Sequence, residues 1–593
     1  MKKRIFIFLF ICFLYGQSYA EKFDLGEIVI TPTKTPHLLK DAPVPASIAT
    51  EEDVERINVF EVSDIFENIQ GLHVVRYGST GSQSSVYLRG LYSTHTLVLQ
   101  DGRPLNLPDV GNPILETINP FNVEKVEVIK GPFSALYGAN AVAGVINIIK
   151  KEPPKDKSEG LLDFSYGSYQ TWKVQGSAGI PVGDSGNTGI RLDGHYLKSD
   201  GDRDNSEAEK YALESKFQSE SVEGNTFDLN LGYNFNDAGN PGSQPSAVSV
   251  NRTPTQLTYG NNEASSLKDS SEEKLWFIDG EWESEPYKVK GYINNRENDF
   301  YQWYANFIGD GNRRHTNNQS RRLGVDGQFE VMLAERHLLS VGLSYISDKY
   351  ENRDNVTSLI FGSTSSTSID ESRDTVGIFM QDEISLESIF LQLGIRYDEP
   401  SDFDGQLSPK VAALFDVSEQ TRIRASAGQA YRAPTLSELN WPEDAFTKGN
   451  PMLEAETSTA FDLGMENEIS EKCLIRVNVF YQKIKDMIQW APTGSMTAWG
   501  TPKWQPDNLN EMKTIGFEAE GLFVFNEYFK ADAGYTYTDA EQKNSEIVNS
   551  YASAIESVTR DARFIPKHKV DLLLTFSNIA ASGANLHLDV HYV

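Results

Sequence analysis

The chain has 593 residues, a formal net charge of -30 and only two cysteines. That charge excludes a nucleic-acid partner, which needs clustered Lys and Arg, and the cysteine count excludes disulfide-stapled folds and cysteine-ligated metal centres. Beyond residue 15 there is no long uncharged apolar run, so a helical membrane protein is excluded as well; if the chain spans a membrane, it does so as a closed barrel.

Lys2, Lys3 and Arg4 precede an apolar run over residues 5–15 and a small-residue exit at Ser18, Tyr19 and Ala20. This pattern predicts a secretory signal peptide over 1–20, cut before Glu21, which removes Cys12 and leaves Cys473 alone. Ile11 stands where a lipid-attachment site needs a small residue, so a lipoprotein is not expected. EIVITPTKTP follows, with β-prone Ile28, Val29, Ile30 and Thr31 beside Pro32 and Pro36. No second strand lies within easy hairpin reach, so this extended segment is expected to find its partner elsewhere.

Residues 40–150 read as a small α+β domain. Val54, Ile57, Val62, Ile65, Phe66 and Ile69 fall at helical spacing, and short strands with glycine turns follow. KKEPPKDKSEG then reads as a linker, bounded at 151–159. From 160 to 593 one segment type recurs: Phe227, Leu229, Leu231, Tyr233 and Phe235 alternate with polar residues, and so do Leu391, Leu393, Ile395 and Tyr397. Period two puts all apolar residues on one face. Segments of about nine to eleven residues, aromatic ends, and tight turns alternating with long polar loops predict a transmembrane antiparallel β-barrel. About nineteen strands can be counted. The alternation runs to the last residue in NLHLDVHYV, so the expectation is a 22-strand barrel with roughly three strands missing from a truncated C-terminus, a size for which a plugged lumen is expected.

Two regions resemble the TonB-dependent outer-membrane transporters. In the first, Leu88, Arg89, Gly90, then Asp101 and Gly102, then Gly131, Pro132, Ser134, Tyr137, Gly138, Gly144 and Asn147 match the family's plug motifs. In the second, QAYRAPTLSELNW followed by KGNPMLEAET matches its paired barrel motifs. The resemblance implies a plug inside the lumen, localisation in the outer membrane, and active uptake of a scarce, bulky nutrient. It also implies a TonB box in the segment 21–39, where Ile28, Val29, Ile30, Thr31 and Pro32 add as a strand to TonB's sheet, which is β-augmentation. Lys130 stands where the family is expected to carry Arg, and Arg432 and Glu456 read as ordinary lumen-facing charges.

In spacing the plug most resembles cobalamin transporters, which points to Gln83, Ser85, Tyr92, Val110 and Gly111 as ligand contacts. External aromatic clusters add Trp303, Tyr304, Trp499 and Trp504, while Trp490 reads equally well as a girdle residue. The cargo is expected to be cobalamin or a ferric siderophore. Haem is the alternative within the family, but 435–448 contains no histidine for an axial ligand. A barrel enzyme is disfavoured because Ser134 lacks the G-x-S-x-G frame, and a porin because its lumen would be blocked. No cofactor is required, and no acidic ligand spacing supports bound calcium. The expected partners are TonB, outer-membrane lipid and the cargo, with the chain itself a monomer.

Overall fold

The computed structural model describes residues 28–29, 34–35, 37–57, 59–183, 186–242, 266–304, 311–444, 446–496, 502–549, 554–579 and 584–593. The expected signal peptide, residues 30–32 of the expected TonB box, and Trp499 lie outside them.

One antiparallel sheet of twenty strands runs in sequence order from Glu159–Gly167 to Ala584–Tyr592. Ala554–Asp561 and His568–Ile579 both pair with Phe529–Asn549, so they are two halves of one passage and the wall makes nineteen passages. Among the described residues no pairing joins the first strand to the last.

The period-two faces are inverted relative to a soluble core. In Ile389–Pro400, Gln392, Arg396 and Asp398 are buried toward the lumen, while Leu393, Ile395 and Tyr397 are more than 40% exposed on the outer surface. That places a hydrocarbon-compatible band against lipid. Strand length departs from expectation: passages range from 9 residues in Glu159–Gly167 to 25 in Pro502–Asn526. A 22-residue strand such as Asn312–Leu333 spans roughly 70 Å at a rise of about 3.3 Å per residue, over twice the hydrocarbon thickness. The surplus lies at one end, since Ser284 and Tyr287, or Asn526 and Phe529, are joined by tight turns, whereas Gly239 and Ser270 are separated by a long connection. The tight-turn end is periplasmic and the long-loop end external.

Inside the wall, a five-stranded plug sheet has the order Ala46–Ala49, Val123–Lys130, Gly144–Lys150, Thr96–Gln100, Arg103–Pro104. Only Thr96–Gln100 and Gly144–Lys150 pair in parallel. Leu72–Arg76 and Ser84–Leu88 form a separate hairpin. The expected single helical stretch is two helices, Glu51–Arg56 and Val62–Glu67. Each carries its own capping box, Thr50 with Asp53 and Glu61 with Asp64, and the second box restarts the chain after the first helix ends. The burial inferred from the spacing holds nonetheless: Val54, Val62, Ile65, Phe66 and Ile69 all enter the plug core.

The segment 28–38 also differs from its reading as a strand without a partner. Ile28 and Val29 pair with Leu38 and His37 in a small hairpin, and Val29 is buried.

Candidate functional site

Two kinds of contact hold the plug. Arg89 follows strand Ser84–Leu88 and is buried against two wall carboxylates, with Nη1 2.5 Å from Asp462 Oδ1 and Nη2 2.9 Å from Glu518 Oε2. Lys130 reaches the same Glu518 at 3.4 Å, so the position expected to be Arg still joins the charge cluster. Arg89 and Gly131 both adopt positive φ, and a Cβ at Gly131 would stand 2.9 Å from Asp462 Oδ2, so the plug motif is shaped by its approach to the wall. The second contact is His95, whose Nε2 is 2.6 Å from Glu456 Oε2, while Arg432 binds Glu456 from the wall side at 2.5 Å and Glu438 at 3.2 Å. Arg432 and Glu456 are therefore more than ordinary lumen charges: they dock the plug.

Above these contacts, facing the long loops, lies a cavity of about 520 Å³. Its floor is the plug loop 107–113. Asn106 organises that loop by donating to the carbonyls of Thr96 and Gly111, both at 3.0 Å. One side is closed by the helix Leu436–Asn440, which Thr435 caps through a capping box with Glu438. Ser437 Oγ donates to the Asp109 carbonyl at 2.6 Å, and Ser437 and Trp441 line the cavity. The second sequence motif thus folds into a bracket on the plug loop.

Of the expected ligand contacts, Gln83 and Val110 line this cavity. Gly111 lies just below it, in a smaller gap beneath the same loop. Ser85 is buried in strand Ser84–Leu88. Tyr92 turns aside: its hydroxyl donates to Gln542 Oε1 at 2.5 Å and its ring stacks on His95. Trp303, next to last in strand Tyr287–Tyr304, lies among Lys268 and Arg313, outside the cavity lining, and the Trp504 N–H donates to the Phe446 carbonyl. The backbone of Tyr304 ends the same strand.

The lining also includes the amides Asn112, Asn236, Asn240, Asn298 and Asn318 and the rings Tyr77, Phe300, Tyr350 and Trp441, beside the carboxylates Asp109, Glu116 and Glu273; of these, sequence reasoning singled out none of Asn236, Asn240, Asn318 and Tyr350 as facing a ligand. Its two arginines are already engaged. Arg296 binds Glu273 at 2.7 Å and Asp109 at 3.2 Å, and Arg314 binds Asp354 at 2.8 Å. Period-two alternation flags such residues as lumen-facing but carries no sign of which ones meet.

Glu116, on the plug side of the cavity, is pushed up to about 8, chiefly by burial and then by the nearby Glu273 carboxylate. Among the described residues its Oε2 has no hydrogen-bond partner. A raised carboxyl is protonated when folded and ionised when unfolded between its ordinary 4.5 and about 8. Its contribution to stability is therefore full below the lower value and lost as pH rises through the upper one. Thermal unfolding followed across this range should show stability declining with pH, and Glu116→Gln should flatten the decline; an unchanged slope would refute the assignment.

The family model described as "TonB dependent receptor-like, beta-barrel" matches residues 158–592, and that described as "TonB-dependent Receptor Plug Domain" matches 38–145. The Vitamin B12 transporter BtuB of Vibrio vulnificus (strain YJ016) is 26% identical, over 84% of this chain and 75% of its own length. The Iron-regulated outer membrane virulence protein of Vibrio cholerae (strain ATCC 39541) is also 26% identical, over 87% of this chain and 78% of its own. Among solved structures, the ferripyoverdine receptor of the outer membrane of Pseudomonas aeruginosa, bound to ferripyoverdine, superposes with a TM-score of 0.72 at 17% identity, covering 96% of this chain and 79% of that one. A mutant ferric enterobactin receptor (PfeA) from the same organism, in complex with enterobactin, gives 0.70 at 18% identity, covering 93% and 87%. With its plug seated in an outer-membrane barrel and both parts matched, the chain belongs to the TonB-dependent receptor family and serves TonB-dependent nutrient transport across the outer membrane.

Proposed function

We propose that the cargo is an amide-rich nutrient of the cobalamin type, captured in the outer cavity and moved inward by force that TonB applies to residues 28–32. The carrying observation is the chemistry of the lining. Five asparagines and Gln83 face the space, while both arginines that reach it are held by carboxylates of the protein. Amides donate and accept at once and suit a ligand rimmed by amides. A multiply anionic ferric chelate would need unengaged cations to offset its desolvation, and the lining among the described residues offers none. The aromatic rings supply apolar contact for a large planar body. The likeness to a protein named as a vitamin B12 transporter supports the same cargo.

Haem has weaker support. No histidine lines the cavity among the described residues, His95 is committed to Glu456, and His73 packs beside Tyr87. No enzymatic step belongs to this reading: Ser134 is buried and accepts the Tyr431 N–H at 3.3 Å.

The test is direct binding to purified receptor of cyanocobalamin and, separately, of a ferric tris-catecholate. Saturable cyanocobalamin binding with none of the catecholate is expected. Catecholate binding without cyanocobalamin would overturn the cargo while leaving the family assignment in place.

A further inference from the structure

The divided wall passage, Ala554–Asp561 and His568–Ile579, is interrupted where it meets the plug. Asp561 pairs with Glu541 and His568 with Tyr537, so six residues, Ala562 to Lys567, stand against three, Thr538 to Ala540. Pro566 has no N–H to give the ladder and biases Ile565 toward extended backbone. Lys567 clips the neck of the resulting bulge, its Nζ 3.4 Å from Asp539 and 3.1 Å from Asp561. Bulges re-aim side chains.

Two side chains of this bulge reach the plug at different places. Ile565 packs on the plug core, and a Cβ at Gly90 would stand 3.3 Å from its Cγ2. Phe564 meets Tyr77 instead, edge to face, with ring centres 6.4 Å apart and planes at 84°. Tyr77 lines the outer cavity. Its hydroxyl is 3.3 Å from that of Tyr87, and its N–H donates to the carbonyl of Gln83, another lining residue, at 3.1 Å. The far side of the same plug loop is moored by polar bonds: Gly81 N–H donates to Glu61 at 2.8 Å, and the Asn236 amide donates to the Gly81 carbonyl at 2.9 Å.

The backbone at Phe564 is unusual. Its φ is 63°, a region natural to glycine and strained for an L side chain. Glycine at 564 would serve the contact of Ile565 with Gly90 equally well. The phenyl ring is 58% exposed, so burial does not account for it either. A strained residue held without the reward of burial points to a use for its side chain, and that side chain touches Tyr77, itself 52% exposed.

We propose that Phe564 is a positioning residue for cargo capture: its ring fixes the Tyr77 ring at the edge of the outer cavity, where a flat apolar face of the cargo meets it. This rests on the reading of that cavity as the cargo site. A half-open ring otherwise moves among staggered rotamers, and an edge-to-face neighbour selects one of them, which lowers the ordering cost at binding.

The test uses the full chain. Phe564→Gly keeps the backbone conformation and removes only the ring; it should weaken cyanocobalamin binding about three- to tenfold, whereas Phe564→Tyr should not. In a Tyr77→Ala background the same change should cost nothing further, because the ring acts through Tyr77. Unchanged affinity in Phe564→Gly, or the same loss in both backgrounds, would overturn the proposal. A second arm needs no cargo. With Tyr77 replaced by 3-fluorotyrosine, Phe564→Gly should shift and broaden the fluorine resonance of purified receptor, and an unchanged resonance would equally overturn the proposal. Receptor that does not bind cyanocobalamin at all overturns the cargo reading instead, and the fluorine resonance then decides the role of Phe564.

Discussion

Val29→Pro is expected to abolish energised uptake and to leave binding of cargo at the cell surface unchanged. Proline removes the N–H that residues 28–32, in the proposed TonB contact, would offer to the edge of a partner sheet. The outer cavity is lined by the plug loop 107–113, the wall and the Leu436–Asn440 helix, and Val29 is not among its lining residues. The same substitution weakens the resting hairpin, because Val29 pairs with His37. Leu38→Pro separates the two effects: it disturbs the hairpin from the other strand and spares 28–32, so uptake should survive. Labelled cargo measured as bound and as internalised, in energised and de-energised cells, reads both quantities. Equal loss of binding and uptake with Val29→Pro would make the stretch a structural part of the plug instead.

Arg89→Met destabilises the docked plug by about 3–5 kcal/mol, the cost of leaving buried carboxylates without their cation. Asp462 and Glu518 approach Arg89 from two different wall strands, and its guanidinium also lies 4.5 Å from the Phe480 ring centre. Removing the cation therefore strands two acids at once, with Lys130 left 3.4 Å from Glu518. Arg89→Lys should recover part of the loss, since a point charge cannot serve both carboxylates as the planar fork does. Denaturant unfolding in detergent and protease nicking of the plug measure the effect; a loss below about 1 kcal/mol for Arg89→Met would show the cluster to be a minor contributor.

The two predictions differ in how far they were legible beforehand. The apolar and polar faces of strands such as Ile389–Pro400 follow from residues two apart, and the helix-spaced set from Val54 to Ile69 found its core despite the break between two capping boxes. Arg89 could be recognised within its motif, but its partners lie 373 and 429 residues away. The docking role of Glu456 was hidden for the same reason, since His95 is 361 residues from it.

The sequence by itself determined the membrane class, the inward and outward faces of each passage, the plug and its motifs, and an extended segment near the start. Only the tertiary structure decided which lumen residues meet and that asparagines rather than unengaged arginines line the outer cavity. The division has a physical cause. Alternation and capping are local and written in neighbouring residues, whereas a cavity is made by the curvature of the wall and the docking of the plug, which join side chains hundreds of residues apart.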